Sequence, residues 1–339
     1  MAFSSHCRYR ARYVRTIHAG RVTVAGLRYP DGIVAHHHRQ LDHTAISRCD
    51  TGDEIEVWLI QSDSMNSTPE IKPGQSVELL KELHILTRDG KLNQDSRRKL
   101  KQVYHLFHFI EPLLDEVIAT KQNMTLADHG AGKSYLGFII YDLFLKKLES
   151  GHIYGIETRE ELVDKSQQLA ARLSFARMSF LNLSVEEAIH SPQLPEQIDV
   201  VTALHACNTA TDDAIKFALR KQAKFIVMVP CCQAEVATIL NKNKNQSFGK
   251  TPLSEIWRHP LHSREFGSHL TNVLRCLQLE AHGYQVTVTE LVGWEHSMKN
   301  ELIIARRNDS PRKDVLERLK NILHELNLDE LHERFIYAA

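Results

Sequence analysis

The chain has 339 residues, 42% of them hydrophobic and 25% charged, enough for one large domain with a smaller one or for two ordinary domains. Lys plus Arg and Asp plus Glu both number 42, so net charge selects no class of partner. No apolar leader and no run of eighteen apolar residues occurs. That argues against membrane contact and gives the expectation of a cytoplasmic protein with reduced thiols. Its six cysteines form no C-x-x-C pair, so no metal site is expected.

Residues 1–62 read as a small β-rich domain. Arg8, Arg10 and Arg12 alternate with Tyr9, Ala11 and Tyr13, which is the period of a strand. Residues 1–48 hold eight arginines against two aspartates. The arginine stripe has two readings, a phosphate-neutralising face for RNA or the solvated face of a sheet. Tyr29–Gly32 spells a Pro-Asp-Gly turn, and His36, His37 and His38 read either as a stray-metal binder or as a solvated loop, the loop being the expectation. Residues 63–76, with Pro69, Pro73 and Gly74, have linker composition. A helical lead-in over 77–120 follows, with Leu100, Val103, Leu106, Phe107, Ile110 and Leu114 on one stripe.

From "MTLAD" onward, short apolar runs ("GHIYGIE", "MSFLNLS", "IDVVTALH", "KFIVMVP") alternate with amphipathic stretches. This βαβα rhythm predicts a parallel sheet covered by helices on both faces. The last two strands, "YQVTVTELVG" and "NELIIARR", are joined through "WEHSMKN", too short for a crossover, so they pair antiparallel. The α/β domain spans 77–310, and 311–339 reads as amphipathic helix.

"ADHGAGKS", Ala127–Ser134, nearly spells a phosphate-cradling loop. An NTPase also needs an acidic metal-binding residue at a later strand end, and neither "IDVVTALH" nor "FIVMVPCC" supplies one. The dinucleotide fingerprint fails as well, because Tyr135 stands at its third glycine. S-adenosylmethionine, with a sulfonium and an amino-acid end but no phosphate, fits better. Asp128 can meet the ammonium, Gly130 and Gly132 let the backbone approach the ribose, and Glu157 ends the next strand where ribose hydroxyls need an acceptor. Ser184 closes the third strand, near Asn182, with the Val185 amide as an alternative adenine contact.

Two further stretches, "LHACNTATDDAI" and "VPCCQAEV", carry a resemblance. With Lys133 and Leu136, His205, Cys207, Thr211 and Asp212, Cys231 and Cys232, and Glu295, His296, Lys299 and Asn300, the chain resembles one group of class I S-adenosylmethionine-dependent methyltransferases. Its marks are H-x-C-x-x-x-T-D and P-C-C motifs, and it includes the tRNA acceptor-stem 2′-O-methyltransferases. The resemblance covers roughly residues 95–307. It implies a Rossmann-like sheet of five parallel strands plus a terminal hairpin, with S-adenosyl-L-methionine as cofactor. Contacts to it would come from Asp128, Gly130, Ala131, Gly132, Glu157, Ser184, Val185, Leu204 and His205. Candidates for catalysis are Cys231, Cys232, His296 and Lys299. A lysine-aspartate-lysine-glutamate set could also be drawn from Lys101, Asp212, Lys299 and Glu295, although Asp212 is equally an N-cap type. Asn208 and Gln233 depart from the group, which has glycine or aspartate at the first position and, in the tRNA enzymes, histidine at the second. The polar stretch "NKNKNQSFGKTP" is either a substrate loop or plain surface. RNA is the expected acceptor, with a protein or small molecule, or cofactor binding without chemistry, as the alternatives.

Overall fold

Five-residue apolar runs too short for buried helices become the central strands of one sheet in the computed structural model. The structure describes residues 71–204, 206, 208–230, 233–243, 250–291 and 301–336, and the backbone of 17–18 and 21–22. The chain divides into two units, Met1–Thr68 and Pro69–Ala339. In the first, β1 (Ile17–His18) pairs antiparallel with β2 (Arg21–Val22); Arg8, Arg10, Arg12 and His36–His38 lie outside the described residues.

The second unit opens with α1 (Val77–Glu82) and α2 (Gln94–Thr120), then alternates. Its elements run β3 (Thr125–His129), α3 (Tyr135–Leu143), β4 (His152–Glu157), α4 (Glu160–Arg172), β5 (Met178–Asn182), α5 (Val185–His190) and β6 (Val200–Leu204). They continue with α6 (Thr209–Arg220), β7 (Phe225–Val229), α7 (Glu235–Lys242), α8 (Pro260–Ala281), β8 (Tyr284–Glu290), β9 (Glu301–Arg307), α9 (Lys313–Glu325) and α10 (His332–Phe335). The stretch 71–76 is tied to the domain: Tyr104 Oη donates to Gln75 Oε1 at 2.6 Å, and Ser76 N donates to Asp142 Oδ2 at 2.9 Å.

The sheet order is β5-β4-β3-β6-β7-β9-β8. β3 pairs parallel with β4 and β6, while β9 runs antiparallel to both β7 and β8. This is the Rossmann-like class I methyltransferase sheet, five parallel strands finished by an antiparallel hairpin. All five residues of both β3 and β7 are buried, as expected for strands covered on two faces. α3 buries eight of its nine residues, Leu136 through Leu143, because a helix apolar all round must be enclosed. The α2 stripe buries Leu100, Leu106, Phe107, Ile110 and Leu114, and Val103 packs at its margin. α9 and α10 close a separate cluster in which Leu319, Leu323 and Phe335 meet Val236, Leu240 and Leu274 of α7 and α8.

The chain leaves β3 toward β4 on one side and later returns to place β6 on the other. Between those two strands the order reverses, and the crevice beyond their carboxyl ends is where an open α/β sheet receives a ligand. None of the helices among the described residues is long and apolar enough to cross a membrane.

Candidate functional site

At the carboxyl end of β3 the backbone turns through Gly130 (φ +64°) and Gly132 (φ +57°), conformations that L side chains rarely adopt. Ala131 N donates to Ile156 O at 3.0 Å and Gly132 N to Glu157 Oε2 at 2.7 Å, so the turn is buttoned to the end of β4. A Cβ on Gly130 would lie 3.5 Å from the Ala206 side chain and 4.0 Å from that of Ala210. Small residues therefore line the β6 side of the crevice beside the turn.

Glu157 ends β4, buried except for its tip, and accepts from Thr158 N (3.0 Å), Arg159 N (3.1 Å), Arg159 Nε (3.1 Å) and Arg159 Nη2 (3.2 Å). Burial alone would raise its pKa, but the Arg159 and Gly132 hydrogen bonds outweigh it and hold the carboxyl below its ordinary value. Sequence reasoning missed Arg159, whose guanidinium covers the oxygens that ribose hydroxyls would use. With 59% of that side chain exposed, the pair contributes only about 0.2–1 kcal/mol. Arg159→Ala is accordingly expected to tighten S-adenosyl-L-methionine binding by up to about fivefold at low salt, measured by titration calorimetry. Weaker binding would mean that the guanidinium assists the cofactor instead.

Asp128 lies beneath the turn, only 2% exposed. Thr202 Oγ1 donates to its Oδ1 at 2.9 Å and Ser134 Oγ to its Oδ2 at 3.2 Å. Burial lifts its pKa to about 6 against these hydrogen bonds. Ser134 holds a left-handed backbone (φ +49°) at the start of α3, and its hydroxyl braces Asp128 rather than capping the helix. Lys133 is exposed and makes no ion pair or hydrogen bond among the described residues.

The next residue along β3, His129, packs its ring against Phe217 at 5.3 Å. Neither ring nitrogen has a hydrogen-bond partner. Burial pushes its pKa down to about 4, with the charge of Glu157 pulling the other way. The unfolded imidazole, near 6.5, therefore binds a proton that the folded one does not. Its stability cost is absent above pH 6.5 and grows as pH falls toward 4. His129→Leu should thus gain stability relative to wild type by about 1.4 kcal/mol more at pH 5.5 than at pH 8, read from urea melts at the two pH values. A pH-independent difference between the two proteins would contradict this. Asp128 titrates in the opposite sense over pH 4–6 and cancels in that comparison.

On the side expected for adenine, Ser184 is the N-cap of α5. Its hydroxyl and its N–H both donate to Glu187 Oε2, at 2.7 and 2.8 Å, forming a capping box. Val185 begins the helix and packs half-buried against the core, and Leu204 ends β6, also half-buried. Asn182 Nδ2 donates to Glu157 O at 3.1 Å, joining the two strand ends.

The far side of the crevice is organised by a residue that sequence reasoning missed. Arg275 of α8, 1% exposed, donates from Nε to Asp212 Oδ1 at 2.6 Å and from Nη2 to Asn208 O at 2.9 Å. Its Nη1 donates to Gln233 Oε1 and, at 3.3 Å, to Asn272 Oδ1. Gln233 Nε2 in turn donates to Ser268 O and Asn272 Oδ1, both at 2.8 Å, and Asn272 Nδ2 to Glu301 Oε2 at 2.8 Å. Asp212 is thus neither an N-cap nor a free carboxylate: it sits in the first turn of α6, buried and paired with Arg275. Lys101 is exposed on α2. The signal for the hub was the spacing of Ser268, Asn272 and Arg275, polar residues sharing one helix face. Among the remaining candidates, His205, Cys207, Cys231, Cys232, Glu295, His296, Lys299 and residues 244–249 lie outside the described residues.

Residues 98–239 match a family model described as a methyltransferase domain. Curated relatives named "Glutathione S-transferase C-terminal domain-containing protein" include those of Bos taurus, 22% identical over 242 residues, and Mus musculus, 23% identical over 234 residues. Each alignment covers 64% of this chain and 34% of the relative, so the chain spans about a third of the length of the curated relatives it matches. Similar solved structures include magnesium protoporphyrin IX methyltransferase from Synechocystis PCC 6803 with bound SAH, at 16% identity and TM-score 0.37, covering 69% of this chain and 95% of that one. Another is an rRNA methylase from Streptococcus thermophilus, at 12% identity and TM-score 0.36, covering 59% and 95%. The match over residues 98–239 and the strand order both fit a methyltransferase domain of class I architecture, which takes S-adenosyl-L-methionine as cofactor. The residues present fit that cofactor: small side chains flank the turn, and an ionised carboxylate ends the adjacent strand.

Proposed function

We propose that this methyltransferase acts on RNA. The observation that carries methyl transfer is the glycine turn buttoned to Glu157 where the strand order reverses. In that place Glu157 would hold the ribose and Gly130–Gly132 would pass beside the adenosine. S-adenosyl-L-methionine supplies an electrophilic methyl group on its sulfonium; the chain's part is to hold an acceptor atom in line with it and keep water out.

RNA is favoured by charge. The Arg8, Arg10 and Arg12 stripe has the spacing of a strand face, and the group whose motifs the chain resembles includes enzymes that methylate RNA. The first half of α2 adds Arg97, Arg98, Lys101, His105 and His108, all exposed, with no acid between Asp95 and Glu111. Asp95 is engaged by Arg98 and Lys99, at 3.0 and 2.8 Å, whereas Arg97 and Lys101 have no ion pair among the described residues. Such cations bind phosphates and release counterions.

Tritiated methyl transfer from S-adenosyl-L-methionine into size-fractionated extract of a knockout strain tests the reading. Label in RNA is expected; label confined to protein or small molecules would remove it. In parallel, replacing Arg97 and Lys101 together by alanine should flatten the dependence of log affinity on log salt for single-stranded RNA by roughly 1.4, measured by fluorescence anisotropy. An unchanged slope would exclude this face of α2.

A further inference from the structure

We infer that Arg275 is a positioning residue that locks three strand-end segments on the acceptor side of the crevice into one unit; this rests on the methyltransferase reading above. The three segments come from distant parts of the chain. One follows β6 and holds Asn208 and Asp212, the second follows β7 and holds Gln233, and the third enters β9 at Glu301. In a sheet of this topology the carboxyl ends of β6 and β7 and the start of antiparallel β9 share one edge. That edge flanks the crevice opposite Glu157.

One guanidinium reaches the first two segments directly and the third through Asn272. Only arginine offers donors in a rigid planar fork wide enough for this. A buried guanidinium needs a countercharge, which Asp212 provides. The remaining partners are oriented without ambiguity. The Gln233 amide nitrogen is taken by Ser268 and Asn272, which leaves its oxygen for Arg275. Asn272 then points its own amide nitrogen at Glu301.

One of the two departures from the resembled group, Gln233, acquires a reason here. Gln233 combines an acceptor for Arg275 with donors to α8, which a neutral imidazole, one donor and one acceptor in fixed places, cannot match bond for bond. Asn208, at φ +50°, keeps a backbone that glycine would adopt freely, and its carbonyl receives the arginine. A network with every member satisfied favours one arrangement over several. In-line methyl transfer requires that property of the wall holding the acceptor.

The test is hydrogen–deuterium exchange of the full chain carrying Arg275→Lys, with Gln233→Leu as a second variant that keeps the Arg275–Asp212 pair. Peptides covering 206–213, 229–236 and 301–304 should exchange at least tenfold faster together in Arg275→Lys. Peptides covering 125–160 should stay at the wild-type rate, and the Kd for S-adenosyl-L-methionine should stay within twofold. In Gln233→Leu the 229–236 peptide should loosen while 206–213 and 301–304, still held through Asp212 and Asn272, stay protected. In Arg275→Lys, acceleration in only one segment, in none, or uniformly across the chain would overturn the inference. On an RNA that the wild type methylates, Arg275→Lys should lower kcat with the KM for S-adenosyl-L-methionine unchanged. If the wild type methylates no RNA, the acceptor assignment fails while the exchange pattern still decides the role of Arg275.

Discussion

Glu157→Ala should weaken S-adenosyl-L-methionine binding by roughly 100-fold or more. A carboxylate at the end of β4 can accept from both ribose hydroxyls, and each hydrogen bond to a charged group is worth about 1.5–3 kcal/mol. Two of them correspond to at least about 3 kcal/mol, a factor of more than 100. The variant also releases Gly132 N from its 2.7 Å bond, so the turn loses its button as well as its ribose acceptor. Glu157→Gln keeps the shape but not the charge and should fall between the two. Titration calorimetry reads all three proteins, and a Glu157→Ala dissociation constant within threefold of wild type would show that the ribose is held elsewhere.

The largest effect on stability is expected at Asp212. Asp212→Ala strands the Arg275 guanidinium, which is 1% exposed. Breaking a buried pair by removing one partner costs about 3–5 kcal/mol, because an uncompensated charge remains inside. Replacing both members by apolar residues, Asp212→Leu with Arg275→Met, should recover only part of the loss: the buried charge disappears, but the Asn208 carbonyl and the Gln233 amide oxygen lose their donor. Urea unfolding of the two variants decides this. A loss below about 1 kcal/mol for Asp212→Ala would mean that water reaches the arginine.

Most of the sheet was legible because each strand announces itself locally. "TLADH" and "FIVMV" are too short and too apolar for anything but central strands, and acids or glycines mark the carboxyl ends of β3 and β4. The hairpin was legible for a similar reason, since its connection is too short to cross the sheet. Ser184 was harder. Its S-x-x-E spelling with Glu187 is a capping signature, but the expectation of an adenine contact took precedence over it. Asp212 could not be resolved from sequence, because its partner lies 63 residues away. Arg275, Asn272 and Ser268 look like the wet face of an amphipathic helix until β6, β7 and β9 converge on them. Helical spacing shows which residues share a face and is silent on whether that face meets water or buried carbonyls. Arg159 belongs to the same class, a surface-looking cation whose meaning comes from the carboxylate two residues earlier.

The glycine turn also explains how one adenosine compound is told from another. A nucleotide polyphosphate is held by backbone N–H groups left pointing outward. In "ADHGAGKS" the Ala131 amide is given to the Ile156 carbonyl and the Gly132 amide to Glu157. A triphosphate arriving there would find two of the loop's donors already engaged, one of them by a carboxylate that repels it. ATP and S-adenosyl-L-methionine share everything up to the 5′ carbon, so selection against the nucleotide falls on the group bonded to that carbon, triphosphate or sulfonium. This loop makes the choice by refusal, with its amides turned inward before any ligand arrives.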